Sequence, residues 1–350
     1  MNHSVIAVWR RFFALFKARN LEFFRDKSSL SWNIAFPVLI LVGFSFVFGE
    51  DDKTQFKVGI IVAESVSAAN ADEAPLSDFL TLRYLETVQY TAQSVALDNV
   101  RKHKIDLLVA PTQRRYWVND TSPTGYTLEQ LFLAKTSGFE RVAIDGKAIR
   151  YLDWVLPGIL GMNMMFSCLF GVGYVIVRYR KASVLKRLKA TPLNPIEFIL
   201  AQVMSRLFIV VTLSAGVFLV TDWMFDFYML GSAIDLLIAA ILGAICMISL
   251  GLLVASRSRS EELTGGLLNL VTWPMMILSG VWFSLEGAPQ WLQSVAQMLP
   301  LTHLVDAARS IMTDGASLWD LRVSVLALTA MTLLFLALSA LLFRWEGDGR

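Results

Sequence analysis

The chain has 350 residues, 55% of them hydrophobic and only 17% charged, with a mean hydropathy of +0.54. That balance is far from a soluble globular average and argues against an ordinary soluble domain. The net charge of +2 decides little by itself. What matters is where the charges sit, and no nucleic-acid partner is expected.

The first 29 residues carry Arg10, Arg11, Lys17, Arg19, Arg25 and Lys27 against Glu22 and Asp26. At helical spacing Val5, Trp9, Phe12, Phe16 and Phe23 fall on one stripe. That pattern predicts an amphipathic helix lying in the membrane interface with its aromatics toward lipid; a helix packed on a partner is the alternative. The apolar run that follows starts too late, runs too long and ends without a small-x-small site, so it does not read as a cleaved signal peptide.

Six apolar stretches follow in order, at 30–48, 154–177, 196–220, 232–255, 263–283 and 323–343. A helix rising 1.5 Å per residue needs about 20 apolar residues to cross about 30 Å of hydrocarbon, and each stretch is of that order. The expected fold is an integral membrane protein. It has an all-α six-helix transmembrane domain, with a small α/β extracytoplasmic domain inserted at 49–150 after the first span. Spans two to six occupy 151–344, and 345–350 form a tail. Cys168 and Cys246 both fall inside spans and read as small packing residues, so no disulfide scaffold is expected.

Within the insert, 56–62 and 105–110 are short β-rich runs ended by turn or loop residues, and 115–118 is a candidate third strand. The stretches 80–90, 95–104 and 129–150 read as helices, the last leading straight into the second span. No metal-ligand spacing or nucleophile pattern stands out. His103 lies between Lys102 and Lys104, in a solvated charge run.

Loop charge sets the orientation. The 178–197 loop carries Arg178, Arg180, Lys181, Lys186, Arg187 and Lys189 against Glu197, and the turn at 256–262 adds Arg257 and Arg259. The 221–230 loop has Asp222 and Asp226 and no base, and 284–321 has Arg309 as its lone base. The positive-inside bias therefore assigns both termini to the cytoplasm and the insert to the outside.

Three segments carry more specific signals. Ala182, Ser183, Val184, Leu185, Lys186, Arg187, Leu188 and Lys189 can form a short basic helix, expected over 182–190, that Pro192 stops by restricting the residue before it. Asn194, Pro195 and Glu197 then restart a helix as N-cap, N1 and N3. After span five, Trp291, Leu292, Val295 and Leu299 form an apolar stripe on a helix expected over 288–299, too short to cross and so expected to be re-entrant. Pro157-Gly158-Ile159 opens span two.

In this order, Pro157-Gly158-Ile159, the run Lys186 to Leu193, and the segment from Ser279-Gly280-Val281-Trp282-Phe283 to Leu299-Pro300-Leu301-Thr302 and Arg309 resemble the membrane subunit of ABC transporters of the ABC-2 family, with the type V exporter architecture. The Val58-Gly59-Ile60-Ile61-Val62 strand and the strand from Lys104 to Val109 resemble the family's version with an extended outer domain. The resemblance implies a permease subunit of an ATP-driven exporter in a bacterial inner membrane, moving an amphiphile such as a drug, lipid or lipid-linked glycan. It implies that 182–189 couple to a separate cytoplasmic ATPase subunit that binds ATP and Mg²⁺, and that a second copy or a paralogous permease completes the route among membrane lipids. The sequence has no G-x-x-x-x-G-K-[ST] loop, so no cofactor is expected on this chain. Many members carry an acidic residue and a glycine near the start of the coupling segment; here it reads Arg178-Tyr179-Arg180-Lys181-Ala182, a more electropositive contact.

Asn33, Asn163, Met165, Arg206 and Asn269 are the candidate pathway residues. Each has a plainer alternative. The asparagines can bond between helices, and a charge inside a span, as at Arg206, can anchor a neighbour or snorkel. Two other function classes remain in view. A membrane-bound transferase would need clustered His, Asp or Glu, but His3, His103 and His303 are scattered. A sensor or assembly protein would use the insert as its ligand-binding domain, but would normally carry a cytoplasmic output domain that the short tail leaves little room for.

Overall fold

A computed structural model describes residues 2–48, 56–61, 74–102, 104–146, 149–184, 187, 195–258, 260–285 and 288–342. The chain divides into two compact units, Phe46–Tyr151 and the combination of Met1–Ser45 with Leu152–Arg350.

The smaller unit is built on a five-stranded sheet. Its strands are β1 (Phe56–Ile61), β2 (Leu85–Tyr90), β3 (Leu107–Ala110), β4 (Arg115–Asn119) and β5 (Glu140–Ile144), in the order β2-β1-β3-β4-β5. β1 runs parallel to β2 and β3, β4 parallel to β5, and β3 antiparallel to β4. Helices α3 (Ala74–Leu80) and α5 (Pro123–Lys135) cover one face, where Phe79, Leu128 and Phe132 meet Val58, Leu107, Tyr116 and Val118. Helix α4 (Gln93–Arg101) covers the other, where Ala96 and Val100 meet Ile105, Leu108 and Trp117. With both faces covered, the central strand β3 is buried at every position, as expected of a strand with helices on each side.

Two sequence expectations are corrected in this unit. The stretch 80–90, read as a helix, is the end of α3, a turn over 81–84 in which Tyr84 takes φ 70°, and strand β2, where Leu85–Tyr90 pairs in register with β1. The stretch 129–150, read as one helix, holds the end of α5, a turn at Gly138 (φ 83°) and strand β5. The alternation Arg141, Val142, Ala143, Ile144 suits a half-buried edge strand better than a helix. His103 lies outside the described residues.

The larger unit is helical. Helices α1 (Asn2–Arg25) and α2 (Lys27–Phe48) precede the inserted sheet; α6 (Tyr151–Lys181), α7 (Pro195–Phe225), α8 (Ala233–Arg257), α9 (Glu261–Leu278), α10 (Gln290–Ala296), α11 (Pro300–Arg309) and α12 (Arg322–Leu342) follow it. Among the described residues, five helices are long and apolar enough to cross a membrane: Lys27–Ser45, Tyr151–Lys181, Glu197–Phe225, Ala233–Ser256 and Arg322–Leu342. α6 is the core helix. Met162, Met165, Cys168, Leu169 and Val172 are buried there against Ala244, Met247, Ile248 and Leu252 of α8 and Leu268 of α9. A helix apolar on nearly every side must be enclosed by others.

The expected fifth span, 263–283, takes a shorter form. Ser260 caps α9 by accepting the amide of Leu263 at 3.1 Å, and the helix ends at Leu278 before Gly280 with φ 67°. Val281 then turns back into the core, fully buried. The eighteen residues of α9 rise about 27 Å, just under the hydrocarbon thickness.

The α1 stripe is also shared differently from the expectation. Phe23 is buried, Phe12 and Phe16 are half-buried, and Phe16 meets Phe208 of α7 at 6.0 Å, while Trp9, Phe13 and Phe24 point outward. The helix packs one aromatic row on its own chain and presents another. Asp26 separates it from α2, accepting the Ser29 amide at 3.1 Å and the Ser29 hydroxyl at 2.6 Å as an N-cap.

Candidate functional site

Two joints in the helical unit gather the sequence's special segments. In the first, Gly158 of α6 lies against the turn after α9, so closely that a Cβ there would sit 2.7 Å from the Val281 carbonyl oxygen. Arg309, at the end of α11, donates from Nη2 to the Gly280 carbonyl at 2.8 Å and from Nε to the Trp154 carbonyl at 3.1 Å. Its guanidinium stacks 3.8 Å from the Trp154 ring, a cation–π contact that adds to the bonds. The Thr302 hydroxyl donates to Ser279 Oγ at 3.0 Å, and Gly161 admits Leu301 and Val305. Three segments far apart in sequence thus close on one another through a glycine, an arginine and a buried hydroxyl pair.

Helix α11 belongs to this joint and was not anticipated from the sequence. Its Pro300, Leu301, Thr302, His303, Leu304, Val305, Ala307 and Ala308 are buried, although the sequence mixes polar and apolar side chains over only ten residues. Pro300 at its N1 position was a usable start signal. A π turn, Ser310–Asp314, ends it at Gly315 with φ 68°. In α10, just before it, Ala296 is buried, Leu292 is half-buried, and Trp291 and Val295 face outward, while Leu299, the N-cap of α11, is half-buried. The sequence's stripe is therefore split between a packed edge and an outer face.

The second joint lies at the basic end of α6. The Tyr179 hydroxyl donates to Glu22 Oε2 of α1 at 2.7 Å, and Arg19 reaches the same oxygen at 2.7 Å and the Gly171 carbonyl at 3.3 Å. Burial works against the Glu22 charge, but the Tyr179 hydroxyl and Arg19 together hold its carboxyl below the ordinary range. The neighbouring Arg180 turns the opposite way, donating to the carbonyls of Ala255 (3.2 Å), Ser256 (3.2 Å) and Ser258 at the end of α8. A helix end leaves its last carbonyls without intrahelical partners, and a cation satisfies them and the negative end of the dipole. Further along, Arg11 of α1 grips Glu197 of α7 with both Nε and Nη2 at 3.0 Å.

The expected coupling helix begins where these anchors end. Ser183 takes φ 57° and breaks α6, and the Arg187 amide then donates to the Ser183 carbonyl at 3.1 Å, closing one turn. Ala182 and Ser183 are exposed, Val184 is half-buried and Arg187 is exposed. Leu185, Lys186, Leu188 and Lys189 lie outside the described residues.

The candidate pathway residues are not brought to one place. Asn163 donates its amide to the Asn33 backbone carbonyl at 3.1 Å, linking α6 to α2. Met165 is in the central core. Arg206 of α7 is 6% exposed, donates to the Ser167 carbonyl from Nε at 2.7 Å and to Ser167 Oγ from Nη2 at 2.8 Å, and lies 5.4 Å from the Phe23 ring. Gly171 makes room for it, since a Cβ there would sit 1.9 Å from the guanidinium carbon. Asn269 stands apart on the outward face of α9, beside the exposed Leu270 and Trp273.

Residues 115–313 match the family model for ABC-2 type transporters, more than half of the chain. The chain is 26% identical over 183 residues to an Escherichia coli (strain K12) protein named inner membrane transport permease YhhJ, covering 52% of this chain and 49% of that one. It is 24% identical over 182 residues to the linearmycin resistance permease protein LnrN of Bacillus subtilis (strain 168), covering 51% and 46%. It is 22% identical to the probable multidrug ABC transporter permease YbhS of Escherichia coli (strain K12), across 97% of this chain and 98% of that one. In the first two alignments the chain spans about half the length of the relative it matches.

Proposed function

We propose, from the premise that this chain belongs to the ABC-2 type transporter family, that it is the membrane-spanning permease subunit of an ATP-driven exporter, with ATP and Mg²⁺ bound by a separate cytoplasmic ATPase subunit. The observation that carries this reading is the second joint. The basic segment after α6 starts directly from Tyr179 and Arg180, which are tied to α1 and to the end of α8. A push on that segment from a cytoplasmic partner would reach three helices through short hydrogen bonds rather than through a free loop. Six spans are counted by taking α9 as the fifth, and basic-residue asymmetry puts both termini and the coupling segment in the cytoplasm of a bacterial inner membrane, with the 49–150 domain outside.

The transport route is proposed to lie between this chain and a second copy or a paralogous permease. The outward face of α9 supports that: an asparagine amide facing hydrocarbon is costly unless it finds a partner, and Asn269 stands among exposed Leu263, Leu267, Leu270 and Trp273. The substrate is proposed to be an amphiphile. YbhS is named a multidrug permease and LnrN for linearmycin resistance, which favours the drug class over a lipid-linked glycan. In this frame α10 borders the outer exit of the route.

The test is co-expression with the cognate ATPase and a double substitution, Lys186→Glu with Arg187→Glu. Reversing both charges is expected to abolish co-purification of the ATPase or to uncouple hydrolysis from transport, with membrane insertion unchanged. Wild-type transport and complex yield in that variant would overturn the reading.

A further inference from the structure

The helical unit holds a half-open cavity of about 250 Å³ between α6, α7, α8 and α11. Met164, Phe218, Leu237, Ala240 and Leu304 are among its walls, and Ser214 supplies the one side-chain hydroxyl in the lining. α7 and α8 touch along part of their length, and the space lies where the side chains they turn toward it are small. Ser214 and Ala215 face Ala233 and Ala240 across it, small side chains that leave the space unfilled. The α7–α8 connection is pinned to α6 and to the π turn. The Tyr228 amide donates to Asp153 Oδ1 of α6 at 3.0 Å and the Leu230 amide to the Met312 carbonyl at 2.9 Å. Gly231 sits so close to the π turn that a Cβ would fall 2.4 Å from the Ile311 carbonyl oxygen.

The chemistry of the cavity selects its occupant. An ordered water needs two to four polar partners, and a drug-like ligand needs a few convergent polar groups; one serine hydroxyl supplies neither. A void between packed helices destabilises them in proportion to its volume, so an apolar occupant is favoured. The lining also reaches the outside of the unit, at Leu219 and Leu237, which are 65% and 43% exposed. Both belong to helices apolar and long enough to cross a membrane, so this opening is continuous with the lipid-facing surface. A flexible alkyl chain matches a narrow apolar slot with a lipid-side mouth.

We propose that this cavity is a lipid site that takes one acyl chain of a bilayer phospholipid, wedged between α7 and α8 against α11. The inference rests on α7 and α8 being membrane spans and not on the transport reading. The test uses the full-length protein in nanodiscs of phosphatidylethanolamine and phosphatidylglycerol, containing a phosphatidylglycerol with a photoactivatable diazirine in mid-chain. Adducts mapped by mass spectrometry are expected on Met164 and Phe218, inside the cavity, as well as on the outward Leu333 and Leu341 of α12. Ala240→Phe and, separately, Ala215→Leu should fill the slot and lose the interior adducts, while the adducts at Leu333 and Leu341 persist as the check on folding. Interior adducts that are missing in the wild type, or that survive both fillings in folded protein, would overturn the proposal. So would interior labelling by a diazirine-bearing single-chain detergent and not by the phospholipid, which would assign the cavity to free amphiphiles.

Discussion

Two glycines of α6 allow close approaches of different kinds, and the difference can be measured. A Cβ at Gly158 would meet backbone, the Val281 carbonyl and Cα, which no rotamer change can move. Gly158→Ala should therefore push α6 from the turn and destabilise the protein by about 1–3 kcal/mol, as overpacking does. A Cβ at Gly171 would first meet the guanidinium of Arg206, the far end of a flexible side chain. There the cost is the lost charged hydrogen bonds to Ser167, about 1.5–3 kcal/mol each. Gly171→Ala combined with Arg206→Ala should cost less than the sum of the single changes, whereas Gly158→Ala and Arg206→Ala should add. Thermal unfolding in detergent separates the two patterns. Glu22 gives a pH-dependent check. Its folded pKa lies below the ordinary value, so its stabilising effect is complete above the ordinary carboxylate pKa and is lost as pH falls through the folded one. The stability gap between wild type and Glu22→Gln should accordingly be widest near neutral pH and narrow as pH drops below about 4.3. A gap independent of pH would mean that the charge on Glu22 does not hold the joint.

Among the elements, the end of α8 depends on a residue from another helix. Arg180 supplies donors to three of its last carbonyls, and it does so with a fork that lysine cannot reproduce. Arg180→Ala should raise amide hydrogen exchange across 255–260 while leaving the middle of α8 protected, and Arg180→Lys should recover part of the effect. Unchanged exchange in the alanine variant would show that the turn between α8 and α9 is held by its own caps, of which Ser260 is one. Helix α11 makes the complementary point. Its ten residues would be marginal as an isolated helix, so it persists through burial among α8, α9 and α12 and through the Arg309 clamp.

For the molecule as a whole, the proposed topology puts residue 94 of the inserted domain outside and residue 183 in the cytoplasm. In a background without Cys168 and Cys246, a cysteine at the exposed Ser94 of α4 should react with an impermeant thiol reagent added outside intact cells. One at the exposed Ser183 should react only after the membrane is opened. Reversed labelling would overturn the orientation and, with it, the cytoplasmic coupling segment. The long α6, central to the core of the helical unit, carries the 157–159 motif near its start and the basic anchors at its end. Both joints therefore act on one continuous helix.

Composition and periodicity alone determined that this chain is a membrane protein, where its long apolar helices run, and that a strand-containing block interrupts them. Those properties depend on transfer of apolar side chains out of water and on repeats of two or 3.6 residues, which are local and survive in a linear reading. The motif at 157–159, the 279–283 segment and Arg309 were also legible as residues, through their resemblance to a family. Their contact was not, because a glycine chosen for the close approach of a segment more than a hundred residues away carries no local signature. The edge strands β2 and β5 were misread for a related reason: short runs of mixed polarity take their conformation from the strand they pair with. Helix α11 went unread because ten residues that mix Thr302, His303, Asp306 and Arg309 with apolar side chains are too short for a periodic pattern to stand out from a loop. Arg206 could be seen as a buried charge, yet only the tertiary structure decided that its donors go to Ser167 of α6. An isolated cation inside a span must be satisfied by whatever backbone and hydroxyl groups the packing brings within reach.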